Sequence, residues 1–371
     1  MKDLHGIIFA YRSDAFLREL TIHRNTCSVP FGGRYRIVDF ALSNMVNAGI
    51  SDVGLIVQSS YQSLLDHIGS GKDWDLSRKR GGLRILPPFS FANRHGIVGD
   101  YQGYMDALAG VGDYLENIRQ DYVVLASGDL IANIDFADVF AQHLATGADI
   151  TAVCASQPHG APSNCNYLTL GTDRVVDVSV NPTVPTGYEC LEVYILSKNL
   201  LLSLVEHCQT HNISSFSRGV LQAMVNTLKI VPYLYDGFAP RLHSIPAYFD
   251  ANMALLKPDV RRELFAAARP IKTKDRSDPS TYYAPGSRSA NSLIADGCII
   301  EGEVENSILF RGVKVEKGAR VSNCILMQGT TVKAGALMNY VIADKDVTVG
   351  AGRMLMGSEN YPMAIAKESV V

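Results

Sequence analysis

Three short segments repeat one pattern: Val315-Glu-Lys-Gly-Ala319, Val332-Lys-Ala-Gly-Ala336 and Val349-Gly-Ala-Gly-Arg353. They recur at a spacing of 17 residues, and Ile294-Ala-Asp-Gly-Cys298 is a fourth, offset copy. An aliphatic residue followed by glycine and a small residue, repeated at multiples of about six, is typical of a hexapeptide β-helix. Glycine and alanine turn the corners, while valine and isoleucine fill the narrow interior. The pattern predicts a parallel β-helix over residues 291–371, with a plain antiparallel β-domain as the alternative.

In the chain before this region, short aliphatic runs alternate with helical patterns. The predicted strands are Gly6–Ala10, Val53–Gln58, Tyr122–Ala126, Ile150–Cys154 and Leu191–Leu196, and the predicted helices are Ile37–Ala48, Tyr101–Glu116, Phe136–Leu144 and Leu200–His207. Aliphatic runs without polar alternation suit strands that are covered on both faces. This alternation of strands and helices predicts a doubly wound α/β domain over residues 1–250, with ligands bound at the carboxyl ends of its strands. Residues 251–290, which are rich in proline and charge, are predicted to form a helix and a linker.

Composition excludes several classes of protein. Lys+Arg 34 against Asp+Glu 37 gives a net charge of −3, whereas a nucleic-acid-binding domain is usually strongly basic. No uncharged apolar run approaches the roughly 18 residues that a membrane span needs. The seven cysteines are scattered without a Cys-x-x-Cys pair. We therefore expect reduced thiols in a cytoplasmic protein that binds neither nucleic acid nor membrane.

One longer segment is more specific than any of these patterns. Pro30-Phe-Gly-Gly-Arg-Tyr-Arg-Ile-Val-Asp-Phe-Ala-Leu-Ser-Asn44 resembles the corresponding segment of the ADP-glucose pyrophosphorylases, or glucose-1-phosphate adenylyltransferases. The resemblance continues through Val124-Leu-Ala-Ser-Gly-Asp129 and Ala247-Tyr-Phe-Asp-Ala-Asn252 and ends in the repeats. It implies a sugar-nucleotide transferase fold followed by a left-handed β-helix. Active members convert ATP and glucose 1-phosphate to ADP-glucose and pyrophosphate for bacterial glycogen synthesis.

The resemblance also implies where the catalytic residues would lie, and the first such stretch is altered. The family's loop Gly-Gly-x-Gly-x-Arg-Leu falls on residues 11–17, where Tyr11, Arg12 and Asp14 replace the three glycines. Side chains at these positions restrict the backbone conformations and the close approach by which such a loop binds phosphates. The family's catalytic arginine falls on Phe16, which carries no charge.

At further positions, the charged residues of the family pattern are likewise replaced. A family lysine falls on Thr26, and the charged pair of its Glu-Lys-Pro motif falls on Val180 and Asn181. Of the two aspartates that hold Mg²⁺ in family members, Asp129 keeps the first, and the second falls on Arg241. A cation about 4 Å from Mg²⁺ is repelled by about 8 kcal/mol at an effective dielectric constant of 20. We therefore expect no catalytic residue and no metal site in this chain, with Asp129 as a residual metal candidate and direct anion binding by Arg241 and Arg12 as an alternative.

A basic cluster surrounds the Gly32-Gly33 turn. It consists of His23, Arg24, Arg34 and Arg36, and counterparts of several of these bind phosphorylated activators in the family. Cations near a glycine turn can hold a phosphate ester through charge-assisted hydrogen bonds. The four residues are candidate effector ligands, with a solvated face or a subunit salt-bridge patch as the alternative. The regulatory arginines that some members carry near the carboxyl end have no clear match here.

An intact scaffold with an altered site predicts a regulatory, catalytically impaired subunit. It would assemble with a catalytic ADP-glucose pyrophosphorylase subunit into a heterotetramer, as in the two-subunit enzymes of Gram-positive glycogen producers, or self-associate without that partner. It would need no cofactor itself, whereas its catalytic partner would need Mg²⁺. The alternatives are an active nucleotidyltransferase with an altered phosphate site and an assembly scaffold. A hexapeptide acyltransferase is disfavoured because the repeats contain no histidine to act as a base.

Overall fold

A nine-stranded sheet organises the amino-terminal part of the chain. We describe it from a computed structural model, which covers residues 3–11, 16–87, 101–156 and 165–371. All five predicted strands are present within it. The strands of the sheet are β1 Leu4–Phe9, β4 Asp52–Ile56, β5 Gly82–Leu86, β6 Tyr122–Ser127, β7 Ile150–Ala155, β8 Asn166–Leu170, β9 Val175–Val180, β10 Tyr188–Ser197 and β11 Ile230–Tyr235, while β2 Pro30–Phe31 and β3 Tyr35–Arg36 form a separate hairpin.

The main path of this sheet runs in the order β11-β7-β10-β6-β1-β4-β5. All neighbouring strands on this path are parallel except β10, which is antiparallel to both β6 and β7. Apolar residues cover both faces: Ile7 and Phe9 belong to one hydrophobic cluster, whereas Ile8 belongs to another on the opposite face. The predicted doubly wound α/β domain is therefore confirmed.

Eight α-helices lie in the described part of the chain. They are α1 Val38–Asn47, α2 Gln62–Ile68, α3 Tyr104–Gly110, α4 Gly112–Glu116, α5 Phe136–Thr146, α6 Lys198–Thr210, α7 Ile245–Met253 and α8 Pro258–Leu264. The single helix predicted over Tyr101–Glu116 was wrong, because the segment is broken at Val111 into α3 and α4. Two glycines, Gly110 and Gly112, flank the break, and glycine is a poor helix former. None of the helices in the described ranges combines the length and apolar character needed to cross a bilayer.

The carboxyl-terminal part is a left-handed β-helix built from three parallel sheets of five strands each, which confirms the repeat-based prediction. The first sheet comprises β12 Tyr282–Tyr283, β15 Ile299–Ile300, β18 Lys314–Val315, β21 Thr331–Val332 and β24 Thr348–Val349. The second comprises β13 Arg288–Ala290, β16 Glu303–Glu305, β19 Arg320–Ser322, β22 Leu337–Asn339 and β25 Met354–Met356. The third comprises β14 Leu293–Ile294, β17 Ile308–Leu309, β20 Ile325–Leu326, β23 Val341–Ala343 and β26 Met363–Ile365.

The register of the β-helix follows from the spacing of its repeats. Val315 pairs with Val332, and Val332 pairs with Val349, so the 17-residue repeat stacks identical positions on one another. The first coil already begins at Tyr282, within the stretch predicted as helix and linker. That stretch also contains α8.

The two domains share a hydrophobic core. Alternation along the short strands of the third sheet points Leu309 and Leu326 into the β-helix, whereas Ile308 and Ile325 point outward. These outward residues belong to one buried cluster with Phe40 and other residues of the amino-terminal domain. The β-helix therefore lies firmly against the α/β domain.

Truncation of this shared core should cost stability. We expect Ile325→Ala to lower the free energy of unfolding by about 2–5 kcal/mol, because it leaves a cavity between two domains. The matched control is Ile299→Ala on the first sheet, where the side chain is only half-buried and we expect a loss of about 1 kcal/mol. Urea unfolding of the two variants measures the difference. Equal losses would contradict a core shared by the two domains.

Candidate functional site

The strand register brings three segments to one edge of the sheet. Phe9, the last residue of β1, pairs with Ser127 of β6, and the neighbouring Ala126 pairs with Val193 of β10. The residues that follow β1 and β6 therefore lie beside the first half of β10. This edge holds Tyr11 and Asp129, and it is where a doubly wound sheet binds its ligands.

A β-bulge in β10 orients a carboxylate at this edge. The register between β10 and β7 shifts between Cys190 and Tyr194, and Glu192 within the shift has a positive φ of 57°. Bulges of this kind redirect a side chain out of the regular alternation. One carboxylate oxygen of Glu192 accepts a hydrogen bond from the Tyr104 hydroxyl at 3.1 Å, and the other accepts one from Asn166 Nδ2 at 3.4 Å. Glu192 is thereby fixed at the edge of the sheet where β1 and β6 end.

Arg241 lies buried between this glutamate and a second one. Its Nε donates to Glu189 Oε1 at 3.2 Å, and its Nη2 donates to the Cys190 carbonyl at 2.9 Å. The same Nη2 is 3.7 Å from Glu192 Oε1. One guanidinium therefore lies within 4 Å of two buried carboxylates. We refer to Arg241, Glu189 and Glu192 as the buried ion cluster.

Aromatic side chains fill the space beside the cluster. The Tyr104 ring stacks on Phe9 with a centroid distance of 3.9 Å, and the Tyr11 hydroxyl donates to the Gly103 carbonyl at 3.0 Å. Burial raises the pKa of Tyr11 well above its usual value, with smaller contributions from Tyr101 and nearby carboxylates. Tyr11, which replaces the first glycine of the family's loop, is thus buried and hydrogen-bonded to the protein backbone. Arg12 and Asp14 lie outside the described residues.

The other altered positions lie at separate places. Phe16 is half-buried, and Thr26 is buried in the short 3₁₀ turn Thr26–Ser28. Val180 ends β9, and Asn181 after it is exposed with a positive φ of 51°. None of these side chains carries a charge.

Asp129 is the one residual metal candidate. It follows Gly128, is 9% exposed, and accepts a hydrogen bond from the Ser127 hydroxyl. Within residues 3–11, 16–87, 101–156 and 165–371, no group of three or more His, Cys, Asp or Glu side chains is arranged to hold a metal ion. Mg²⁺ requires oxygen ligands, whereas the guanidinium of Arg241 offers only hydrogen-bond donors. The described residues around Asp129 and Arg241 therefore do not fit the Mg²⁺ that the family resemblance implies.

A cavity of about 190 Å³ lies where the two domains meet. We call it the junction cavity. Six cations line it together with Asp66 and His67, and they come from four distant segments: Arg34, Arg36, Lys274, Arg276, Arg311 and Lys345. Asp278 lies 3.5 Å from Arg276 Nε and 3.6 Å from Arg311 Nε, but the cations still outnumber the carboxylates. Such an excess is the charge pattern of an anion site.

The cations of the junction cavity affect one another's protonation. Burial, followed by the neighbouring Arg36 and Arg24, lowers the pKa of Lys345 to about 7. Burial and Arg24 likewise lower the pKa of Arg36 to about 10. Burial and Arg34 lower the pKa of Arg311. A bound anion would relieve this mutual repulsion.

The four predicted effector ligands divide into two groups. Arg34 and Arg36 line the junction cavity, and Arg36 also donates to the hydroxyl of Ser63 at 2.9 Å. Arg24 is buried and forms an ion pair with Asp344 of the β-helix, and His23 is exposed and is not part of the cavity lining.

Sequence reasoning missed the other four cations of the cavity. Two of them, Lys274 and Arg276, lie in the stretch interpreted as a surface linker, and Arg311 and Lys345 lie in the β-helix. For Arg311 and Lys345, the sequence shows only a charged residue at a corner between repeats, and this does not indicate a ligand site.

Comparison with known proteins identifies the family. A family model described as nucleotidyl transferase matches residues 12–231, and one described as GlmU-like, C-terminal hexapeptide matches residues 283–360. The glycogen biosynthesis protein GlgD of Bacillus subtilis (strain 168) is 34% identical over 305 residues, covering 82% of this chain and 78% of the relative. GlgD of Geobacillus stearothermophilus is 37% identical over 320 residues, covering 85% and 82%. The glucose-1-phosphate adenylyltransferase of Geobacillus stearothermophilus is 33% identical over 312 residues, covering 82% and 79%. The resemblance inferred from the sequence is thereby confirmed, and the chain belongs to the nucleotidyl transferase family, together with the glucose-1-phosphate adenylyltransferases and the GlgD proteins.

Proposed function

We propose that this chain is a regulatory, catalytically impaired subunit of glucose-1-phosphate adenylyltransferase that acts in glycogen biosynthesis. It assembles with a catalytic subunit, in our view as a heterotetramer, and raises the activity of that subunit or changes its response to effectors. The relatives named GlgD and glucose-1-phosphate adenylyltransferase support this role. The observation that carries it is the buried ion cluster at the edge where the substrates of the family would bind.

The charge of that edge opposes the reaction. Both substrates are anions, and catalysis of nucleotidyl transfer depends mainly on positioning and on neutralisation of the developing negative charge. Here Arg241 is hydrogen-bonded to Glu189 and lies beside Glu192, so it is not presented to an incoming phosphate. A carboxylate about 4 Å from a phosphate charge costs about 4 kcal/mol at an effective dielectric constant of 20. This arrangement argues against direct anion binding by Arg241.

The test is a reconstitution assay of ADP-glucose formation. Activity is measured for the chain alone, for the catalytic subunit alone and for the mixture, with Mg²⁺ supplied for the catalytic subunit. We expect the mixture to exceed the catalytic subunit severalfold or to respond differently to effectors. An equal rate in both samples would refute the regulatory role. A mixture with an inactivated catalytic subunit serves as the control, and turnover in that sample would instead support an active enzyme with an altered phosphate site.

We further propose that the junction cavity binds the phosphate group of a sugar-phosphate effector. Arg34 and Arg36 supply planar guanidinium donors, which suit phosphate oxygens. Lys345 and Arg311 belong to the β-helix, whereas Arg34 and Arg36 belong to the α/β domain. A ligand held by both sets would connect the two domains and could report its presence to a partner subunit.

The junction cavity should bind anions more weakly as the pH rises through 7. Because the pKa of Lys345 is lowered to about 7, this ammonium is protonated at pH 6 and largely neutral at pH 8. Sulfate keeps its charge over that range, so its affinity should fall about threefold to tenfold between pH 6 and pH 8, as measured by titration calorimetry. Lys345→Arg should remove the pH dependence and keep tight binding, whereas Lys345→Met should remove it and bind weakly. A pH dependence that persists in both variants would contradict the assignment.

A further inference from the structure

A larger concave surface lies at the edge of the sheet where β1, β4 and β5 begin, opposite the edge that holds Tyr11 and Asp129. It is a groove of about 990 Å³. Asp52, the first residue of β4, and Gly82, the first residue of β5, are among its lining residues, as is His5 near the start of β1. We call it the amino-edge groove. It is separate from both the buried ion cluster and the junction cavity, which share none of its lining residues.

Four cations surround this groove: Lys79, Arg80, Arg84 and Arg119. Among the described residues, none of them has a carboxylate within 4.0 Å, whereas other exposed arginines do. Arg320 on the β-helix, for example, is 3.3 Å from Glu303. Four cations of one sign around a single concavity create a local positive field.

The acidic residues of the lining do not cancel this field. Among the described lining residues, Asp52 and Asp113 stand against the four cations, so their formal charges sum to +2. Asp52 also faces the protein: one of its carboxylate oxygens accepts from the Gly82 amide at 3.0 Å and the other from Gln120 Nε2 at 2.5 Å. Gly81 has a φ of +78°, and a Cβ there would lie 1.6 Å from Asp52 Oδ1. The chain next to Lys79 and Arg80 therefore requires glycine at position 81 and is anchored to Asp52 through the Gly82 amide.

The floor of the groove is equally well defined. The guanidinium of Arg84 lies over the Tyr114 ring, 5.9 Å from its centroid. The Tyr114 hydroxyl in turn shares a 2.8 Å hydrogen bond with Nε2 of the buried His5. The Tyr114 ring fits against Gly54, where a Cβ would lie 2.8 Å from the tyrosine oxygen. These contacts hold the Tyr114 ring in place, and the ring offers Arg84 a cation–π contact at the wall of the groove.

We propose that the amino-edge groove binds a small organic anion that carries at least two phosphate groups. Three guanidinium groups and one ammonium suit phosphate oxygens, which arginine binds in a bidentate manner. The volume lies in the range of small-molecule sites, and Ile85, Leu86 and Ile118 provide an apolar surface for the body of the ligand. Sugar bisphosphates and nucleoside diphosphates share this chemistry. The proposal does not rest on the regulatory role proposed above.

The test uses inorganic pyrophosphate as the probe, in titration calorimetry of the full chain at about 0.1 M salt. The double substitution Arg34→Ala and Arg311→Ala serves as the background, so that the junction cavity does not contribute. We expect one pyrophosphate site in this background and a loss of affinity of at least tenfold when Arg119→Ala or Arg84→Ala is added. Arg119 is exposed and makes no hydrogen bond or ion pair among the described residues, so its substitution keeps the test valid even if Arg84→Ala impairs folding.

The matched control is Arg320→Ala in the same background, which removes an exposed arginine and the same charge from the β-helix. It should change the affinity less than twofold. Absence of pyrophosphate binding at millimolar concentration, or an equal loss with Arg119→Ala and Arg320→Ala, would overturn the proposal. Competition by fructose bisphosphate or by ADP without Mg²⁺ then distinguishes a sugar phosphate from a nucleotide, and failure of both to compete would overturn the assignment to an organic phosphate.

Discussion

Arg241→Ala should lower the free energy of unfolding by about 3–5 kcal/mol, because removal of one partner of a buried ion pair leaves uncompensated charge in the interior. Arg241 is 4% exposed, and Glu189 is fully buried beside it. The substitution also leaves the Cys190 carbonyl without the donor it has from Nη2. Urea unfolding followed by circular dichroism measures the change.

The matched control is Arg262→Ala. Arg262 is exposed and pairs with Asp259 on the surface, so its loss should cost less than about 1 kcal/mol. In addition, Glu189→Gln combined with Glu192→Gln in the Arg241→Ala background should recover part of the lost stability, because it removes the two buried charges. If Arg241→Ala lowers the free energy of unfolding no more than Arg262→Ala does, then the buried ion cluster does not stabilise the edge of the sheet where the family would bind its substrates.

Arg24→Ala should have a similarly large effect, again about 3–5 kcal/mol, but at the junction of the two domains. Arg24 and Asp344 are both almost fully buried and form an ion pair across the junction, on sequence positions more than 300 residues apart. Loss of the arginine leaves Asp344 as a buried unpaired carboxylate between the α/β domain and the β-helix. We therefore expect the two domains to unfold in separate steps, observable by calorimetry.

A charge-neutral replacement separates the effect of the ion pair on stability from the effect of the packing around it. Arg24→Met together with Asp344→Asn removes both charges and should recover most of the stability, because a buried ion pair often contributes little beyond a neutral pair of similar shape. Arg320→Ala, which breaks an exposed pair with Glu303 inside the β-helix, is the control and should leave a single transition. A single unchanged transition for Arg24→Ala would contradict the proposed role of the pair at the junction.

The parts of the fold that repeat could be predicted from the sequence. The 17-residue spacing defines which residues stack in the β-helix, because each coil contributes the same positions to the same three sheets. The aliphatic runs likewise predict the central strands, since strands covered on both faces need apolar residues throughout. The helix break at Val111 was not predictable from periodicity, because the apolar pattern continues through α3 and α4 while the backbone does not.

The site was predictable only where a single segment carries the information. The loss of glycines at residues 11–14 and the arginine at 241 are visible in the sequence, whereas the partners of Arg241 are not. Glu192 reaches Arg241 through a β-bulge, which leaves no signature in a hydrophobic pattern. Arg24 was predicted as an effector ligand, but its carboxylate partner Asp344 comes from the far end of the chain. Long-range ion pairs of this kind decide which cations remain available for a ligand.

We propose that this chain has no turnover of its own and acts on a partner. The most direct measurement is ADP-glucose formation by the purified chain alone, with ATP, glucose 1-phosphate and Mg²⁺, compared with its Asp129→Ala variant. We predict that both samples stay at the background rate at every enzyme concentration. Repeated turnover that scales with the concentration of the chain and disappears in Asp129→Ala would contradict the claim.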